Sequence, residues 1–185
     1  AEETAIAMIK PGVRYGDLHF TAARVIADGL TQLGLMRGSA DDLVESGAHA
    51  VFFPHGLGHL IGLDVHDMEG FGDLIHYPPG RTRSAQFGAA FLRLDVDMEP
   101  GMYVTVEPGI YFVPPILHDA ALRKQFRGQV DFNKAERFLK MNSGRGFGGV
   151  RIEDDVMCTD RGHDVLTSDV PKERAALEAL IGSAV

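Results

Sequence analysis

The stretch Pro54-His55-Gly56-Leu57-Gly58-His59-Leu60-Ile61-Gly62-Leu63-Asp64-Val65-His66-Asp67 restricts what this chain can fold into more than any other part of it. It places three of the eight histidines within twelve positions, His55 to His66, and interleaves them with glycine. Glycine allows positive φ and close backbone approach. Gly56, Gly58 and Gly62 therefore predict a kinked strand or bulge that presents imidazoles to a cleft, and they argue against a regular helix. The spacing also differs from the helical His-Glu-x-x-His zinc pattern, whose ligands sit four apart on one face. A lone histidine in a half-buried hairpin is usually hydrogen-bonded and chemically idle. Three clustered with glycines point instead to a site built on strands and loops. A metal there needs neutral imidazole and ionised carboxylate, which directs attention to the acids.

The remaining pattern predicts one domain of mixed helix and strand. Ala1 to Lys10 reads as helix and stops at Pro11-Gly12. Asp17 is placed to cap a helix whose apolar face is Leu18, Ala22, Val25, Ile26 and Leu33, with Gly34 as its terminator. A short polar helix over Asp41 to Glu45 ends at Gly47, and Ala50-Val51-Phe52-Phe53 reads as a strand entering the histidine stretch. Glu69 to Gly88, rich in glycine and proline, predicts a long functional loop. From Met102 the chain is extended as far as Glu107, which the following Pro108 holds at a strand end. Pro108-Gly109 is read as a type II turn before Ile110-Tyr111-Phe112-Val113. Pro114-Pro115 closes that strand. Ala120 to Met141 predicts an amphipathic helical excursion kinked at Gly128, and the glycine-rich residues 144–149 lead into a strand over Val150 to Cys158. On that strand Arg151 and Glu153 share a face. Val170-Pro171 opens a last helix with Gly182 just past its end.

A chain of 185 residues can bury a substantial core, and no apolar run approaches the ~18 residues of a membrane span, nor does a signal-peptide pattern open it. The single cysteine, Cys158, excludes an internal disulfide framework and fits a reducing compartment, read here as the cytoplasm. A net charge of −8 argues against a nucleic-acid partner, which would call for a basic face.

His59, Glu107 and Glu153 thus emerge as candidates, with His55, His66, Arg93 and Arg151 as partners. Alone, Glu107 is a turn carboxylate and Glu153 a strand charge paired to Arg151. Pro-His-Gly-Leu-Gly-His, Val-Glu-Pro-Gly-Ile-Tyr and Gly-Gly-Val-Arg-Ile-Glu-Asp-Asp, however, occur in this order on strand-like sequence. Together they resemble the pita-bread-fold metallopeptidases, specifically the Xaa-Pro dipeptidases (prolidases) and related Xaa-Pro aminopeptidases. Pro11-Gly12, the Phe-Phe-Pro before His55 and the Phe-Gly-Gly before Val150 extend the resemblance over nearly the whole chain.

The resemblance implies an α+β pita-bread fold and a site holding two divalent ions, manganese first, with cobalt or zinc as alternatives. It makes His59 a metal ligand, Glu107 a ligand and proton shuttle, and Glu153 the carboxylate bridging both ions. His66 becomes the hydrogen-bonding partner of the reacting peptide group, with His55 lining the same pocket. Arg93, fourteen residues before Glu107, becomes the grip on the substrate's C-terminal carboxylate, and Arg151 orients the bridging carboxylates from behind. The chemistry suits these residue types: two cations acidify a shared water and clamp the tetrahedral intermediate, and an arginine fork reads a free carboxylate better than lysine does.

A complete site of this kind has five ligands, two of them aspartates on a strand pair preceding the region that corresponds to Ala1. Asp17 and Asp28 have the required eleven-residue separation but lie in a helical segment, so they are rejected. The expectation is therefore a single catalytic-type domain over 1–185, incomplete at its N-terminal side and inactive alone. It should associate as a homodimer or with the missing N-terminal fragment, because unpaired sheet edges invite pairing. The expected substrate is an Xaa-Pro dipeptide, with no membrane partner. The alternatives are an Xaa-Pro aminopeptidase acting on longer peptides and a non-catalytic pita-bread-fold binding module.

Overall fold

The structure is a computed structural model, and residues 1–181 are described. Helix α1 covers only Glu2–Ile6, ending well before the Pro11-Gly12 break. Helix α2, Tyr15–Gln32, is the longest element. Its start is Arg14 rather than Asp17, and the Arg14 guanidinium forks onto Asp95 at 2.7 and 2.5 Å. The buried face is Tyr15, Leu18, Ala22, Ala23, Ile26, Ala27 and Leu30, at helical spacing, while Val25 and Leu33 are exposed, contrary to expectation. Alanines let neighbouring elements approach closely and take the places those larger residues were expected to fill. Gly34 ends α2 as anticipated. Its φ is +67°, and the Gly34 and Leu35 N–H groups donate to the carbonyls of Thr31 and Leu30 at 2.9 and 2.8 Å. Asp17 and Asp28 both lie within α2 on exposed positions.

Helix α3, Ala40–Glu45, is capped by Ser39, whose Oγ accepts from the Asp42 N–H at 3.1 Å. The expected strand over residues 50–53 is instead a 3-10 turn, Ala48–Val51, launched by Gly47 at φ 82°. Ala50, Val51, Phe52 and Phe53 are all fully buried, and a run buried on every side carries no periodicity to separate strand from turn. The loop from Glu69 holds a 3-10 turn, Glu69–Phe71, and a one-turn helix α4, Asp73–His76.

Strand β1, Tyr103–Val106, leads into β2, Gly109–Tyr111, through Glu107 and Pro108. Gly109 does not take positive φ, so Pro108-Gly109 is a bend rather than the expected type II turn. A helix not expected, α5, Pro114–His118, starts at the proline pair, and the helical excursion expected over 120–141 is two helices, α6, Ala120–Gln125, and α7, Phe132–Phe138. Asp119 and Asp131 cap the last two, accepting from the N–H groups of Leu122 and Lys134 at 2.8 and 2.9 Å. The strand expected over 150–158 is likewise two pieces, β3, Gly149–Arg151, and β4, Asp154–Cys158, followed by β5, His163–Val165. Helix α8, Arg174–Leu180, begins beyond Pro171 rather than at it; Gly182 lies outside the described residues.

Antiparallel pairing gives a three-stranded sheet, β1-β4-β5, and a two-stranded ribbon, β2-β3. The two are continuous across a shared bend. Val106 faces Asp154 on one side of it and Gly109 faces Arg151 on the other, so the register places Glu107 opposite Glu153. On the other edge of β1 the histidine stretch pairs irregularly: Thr105 N–H donates to the His59 carbonyl at 3.0 Å and Glu107 N–H to the Leu57 carbonyl at 2.7 Å. One core, including Tyr15, Leu18, Phe52, Leu57, Val104 and Val156, joins α2 to this sheet. Among the described residues no helix is long and apolar enough to cross a membrane.

Candidate active site

The bend in the ribbon and the irregular strand beside it bring His59, Thr105 and Glu107 together. Thr105 Oγ accepts from the His59 backbone N–H at 3.0 Å and donates to Glu107 Oε1 at 3.1 Å, so one buried hydroxyl ties the His59 backbone to the Glu107 carboxylate. Gly58 makes this approach possible. A Cβ there would stand 2.2 Å from the Thr105 carbonyl and 2.5 Å from the Tyr15 hydroxyl, which itself donates to that carbonyl at 2.6 Å. The motif glycines thus serve close approach; Gly56, Gly58 and Gly62 do not take positive φ.

The hydrogen bonds fix the tautomers. His59 Nδ1–H donates to the Leu60 carbonyl at 2.9 Å, which leaves Nε2 with a bare lone pair in the neutral ring. That nitrogen faces Glu107 Oε1 at 3.5 Å. Glu107 Oε2 is held by Arg151 Nη1 at 2.8 Å. Arg151 Nε–H donates to the Tyr111 hydroxyl at 2.7 Å, and that hydroxyl lies 3.2 Å from His55 Nε2. His55 donates its Nδ1–H to the Gly56 carbonyl at 2.7 Å, so Nε2 accepts from Tyr111. Burial pushes the His55 pKa down, and the Arg151 cation adds to this, which keeps the ring neutral. Gly109 and Gly149 leave room for the Tyr111 ring, whose atoms would lie 2.5 and 2.4 Å from a Cβ at those positions.

Six of the expected residues, His55, His59, His66, Arg93, Glu107 and Arg151, line one cavity of about 150 Å³. Glu153 is not on its wall. It stands opposite Glu107 in the ribbon register, and its carboxyl is pushed up by burial and then by the Glu107 charge. Two carboxylates and a bare imidazole nitrogen are the donors a divalent cation of the oxygen- and nitrogen-preferring kind takes, so they fit such an ion in chemistry. Among the described residues, however, no group of three His, Cys, Asp or Glu is arranged to hold one. The fit is that of donors to an ion that others must also hold.

An outer cavity of about 610 Å³ shares His55 and Arg93 with the inner one. Leu92 and Leu94 are buried on either side of Arg93, which turns outward by alternation. Arg93 Nη1 lies 3.1 Å from His66 Nδ1 and pairs with Glu69. The His59 and His66 rings meet edge to face at 4.2 Å between centroids. The sequence reading missed Thr105, Tyr111 and Tyr15. Thr105 was within reach of it, since it lies two residues before Glu107 on the same strand face. Tyr15 had no local signal, because its role depends on a contact ninety residues away.

Comparison with known proteins gives a consistent result. The family model described as Metallopeptidase family M24 matches residues 1–160. The Xaa-Pro dipeptidase of Rattus norvegicus is 44% identical over 176 residues, covering 95% of this chain and 33% of that protein. The Xaa-Pro dipeptidase of Homo sapiens is 42% identical over 171 residues, 92% of this chain and 32% of its own length. Among solved structures, Pseudomonas aeruginosa aminopeptidase PepP superposes with a TM-score of 0.64 at 35% identity, over 97% of this chain and 32% of that one. The Zn-substituted E. coli aminopeptidase P in complex with product gives 0.63 at 33% identity, over 97% and 31%. The chain thus spans about a third of the length of the relatives it matches.

Proposed function

Since this chain belongs to metallopeptidase family M24 and has the pita-bread fold of aminopeptidase P, we propose that its 185 residues are one catalytic-type domain. In this reading they form the C-terminal catalytic portion of a peptidase hydrolysing the Xaa-Pro bond of dipeptides. The observation that carries the reading is the convergence of His59 Nε2 and Glu107 Oε1, 3.5 Å apart, with Thr105 Oγ holding the His59 backbone and the Glu107 carboxylate. With the imidazole neutral, as metal ligation requires, both groups would offer lone pairs to one cation between them.

His59, Glu107 and Glu153 would hold two divalent ions, manganese first and cobalt or zinc as alternatives, together with ligands from outside this chain. When bound, these ions supply an acidified water and positive charge against the developing oxyanion. Glu107 is aimed by Thr105 and Arg151 to take a proton and return it to the leaving proline nitrogen. His66 borders the inner cavity and can hydrogen-bond the peptide group, while the neutral His55 and its partner Tyr111 fix the far wall. Arg93, where the two cavities meet, grips the terminal carboxylate. The half-exposed Val150 and Ile152 on the β2-β3 ribbon support association with a second copy or with the polypeptide that supplies the other ligands. The cytoplasm is the compartment this reading assigns.

The test is a protein in which this sequence is joined to the remaining ligands, loaded with manganese and given Ala-Pro or its C-terminal amide. Ala-Pro should be strongly preferred, and Arg93→Ala should reduce that preference by a loss of up to about 3 kcal/mol, the scale of one charged pair. Equal cleavage of the amide by the parent protein would shift the reading to an aminopeptidase of longer peptides.

A further inference from the structure

Arg93 carries the reading of substrate length, yet in this structure its guanidinium already has a carboxylate. Glu69 pairs with Arg93, and its second oxygen lies 3.2 Å from His66 Nδ1. One internal carboxylate therefore touches both the group assigned to the substrate's terminal carboxylate, Arg93, and the one assigned to the reacting peptide group, His66. Among the described residues no other acid pairs with Arg93; the neighbouring Arg83 is taken by Asp73 at 2.5 Å. The backbone is bent to make this contact. Met68, immediately before Glu69, has φ 57° and ψ 11°, a left-handed conformation that residues with a side chain rarely adopt. The short 3-10 turn that follows holds it, with Phe71 N–H donating to the Met68 carbonyl at 3.0 Å. Glu69 lines the outer cavity but not the inner one, so it stands at the passage between them.

We propose that Glu69 is a specificity-determining residue. Its carboxylate occupies the carboxylate-reading position at rest, and a substrate binds by displacing it. The inference rests on the reading of Arg93 as the grip on a free C-terminus. A ligand whose own carboxylate replaces Glu69 on Arg93 regains that ion pair and frees His66 and the loop. A ligand ending in a neutral amide cannot replace the charge, so Glu69 stays on Arg93 and that ligand binds beside it. The loop thereby lowers the apparent affinity for every free acid by the fraction of time Arg93 is taken, and leaves peptides with a blocked end unaffected.

The test uses the metal-loaded protein containing the whole site, with KM and kcat measured for Ala-Pro and Ala-Pro amide, and Ki for free L-proline as a measure of binding without turnover. Glu69→Gln, which keeps shape and removes charge, should lower KM for Ala-Pro and Ki for proline by about tenfold with kcat unchanged. KM for the amide should stay as it was. Glu69→Asp, which restores the charge, should return both constants toward the parent values. Arg93→Ala separates the two layers. If it abolishes the acid-over-amide preference while Glu69→Gln leaves KM and Ki unchanged or raised, the role of Glu69 is wrong and the functional reading survives. If Arg93→Ala leaves the preference intact, the reading of Arg93 fails and the proposal for Glu69 falls with it.

Discussion

Gly58 shows at the scale of one residue how the sequence motif and the site are connected. Its φ is ordinary, so alanine would meet no backbone strain there, only the atoms that occupy the space: Thr105 O at 2.2 Å, Thr105 Oγ1 and Tyr15 Oη each at 2.5 Å. Two of the three belong to a backbone carbonyl and a buried tyrosine, which cannot swing away. Gly58→Ala should therefore push the histidine stretch off β1 and destabilise the fold by about 1–3 kcal/mol, the range for overpacking a filled site. The urea midpoint measures it, and an unchanged midpoint would mean that the two strands are not packed this closely. The same geometry explains what was legible at this scale. Glycine, histidine and glutamate announced the site by type and spacing, whereas Thr105 and Tyr111, which aim those groups, are ordinary strand residues whose work appears only once partners distant in sequence are adjacent. Glu69 was read as the start of a loop, because nothing in its neighbours reveals that it reaches Arg93 twenty-four residues on.

Between elements, the junction of α2 with the 3-10 turn Ala48–Val51 is made by two histidines with no role in the site. His19 and His49 are fully buried, their rings 6.4 Å apart, and neither nitrogen of His19 nor Nε2 of His49 has a hydrogen-bond partner. Burial, with smaller effects from His49 and His55, holds the His19 pKa at about 3, and burial holds His49 at about 4. Both lie below the unfolded value of about 6.5. Their contribution to stability is thus fully present above about pH 6.5 and lost as pH falls, since the unfolded chain takes up protons that the fold refuses. Between pH 7 and pH 5 each should cost about 2 kcal/mol. The Glu2 carboxyl, pushed up to about 7 by burial and then by Asp154, acts in the opposite sense over this range and is common to parent and variant. His19→Leu should accordingly remove about half of the histidine-linked acid loss, read as a smaller drop in urea midpoint between the two pH values. An identical drop would show that His19 is hydrated or protonated in the fold. The turn that carries His49 was read from sequence as a strand, and the reason is physical: a fully buried run looks the same in either conformation. The helices with a charged face, α2 and α3, were legible, as was the strand end at Glu107. The division of residues 120–141 was not, although Asp131 three residues before Lys134 is the capping signal that would have given it.

For the whole molecule, the question is what these residues, which span about a third of the length of the relatives they match, do by themselves. Its register sets Glu107 opposite Glu153, and two like charges so placed require a cation. Here Arg151 lies 2.8 Å from Glu107, and the Glu153 pKa is raised by burial first and then by the Glu107 charge. One imidazole and two carboxylates cannot fix a second divalent ion beside a first, because nothing neutralises the added charge. The purified 185-residue chain should therefore bind manganese or cobalt weakly, at no more than one ion, and should not hydrolyse Ala-Pro. A longer protein supplying two further carboxylate ligands should bind two ions and turn over. In that protein Glu153→Gln should lose metal and activity together, whereas Glu107→Gln should lose activity while keeping part of the metal, since Glu107 moves protons as well as binding. Elemental analysis and a proline-release assay on the same samples measure both quantities. Turnover by the short chain at a rate comparable to that of the longer protein would show that its three donors suffice, and would remove the need for any ligand from beyond it.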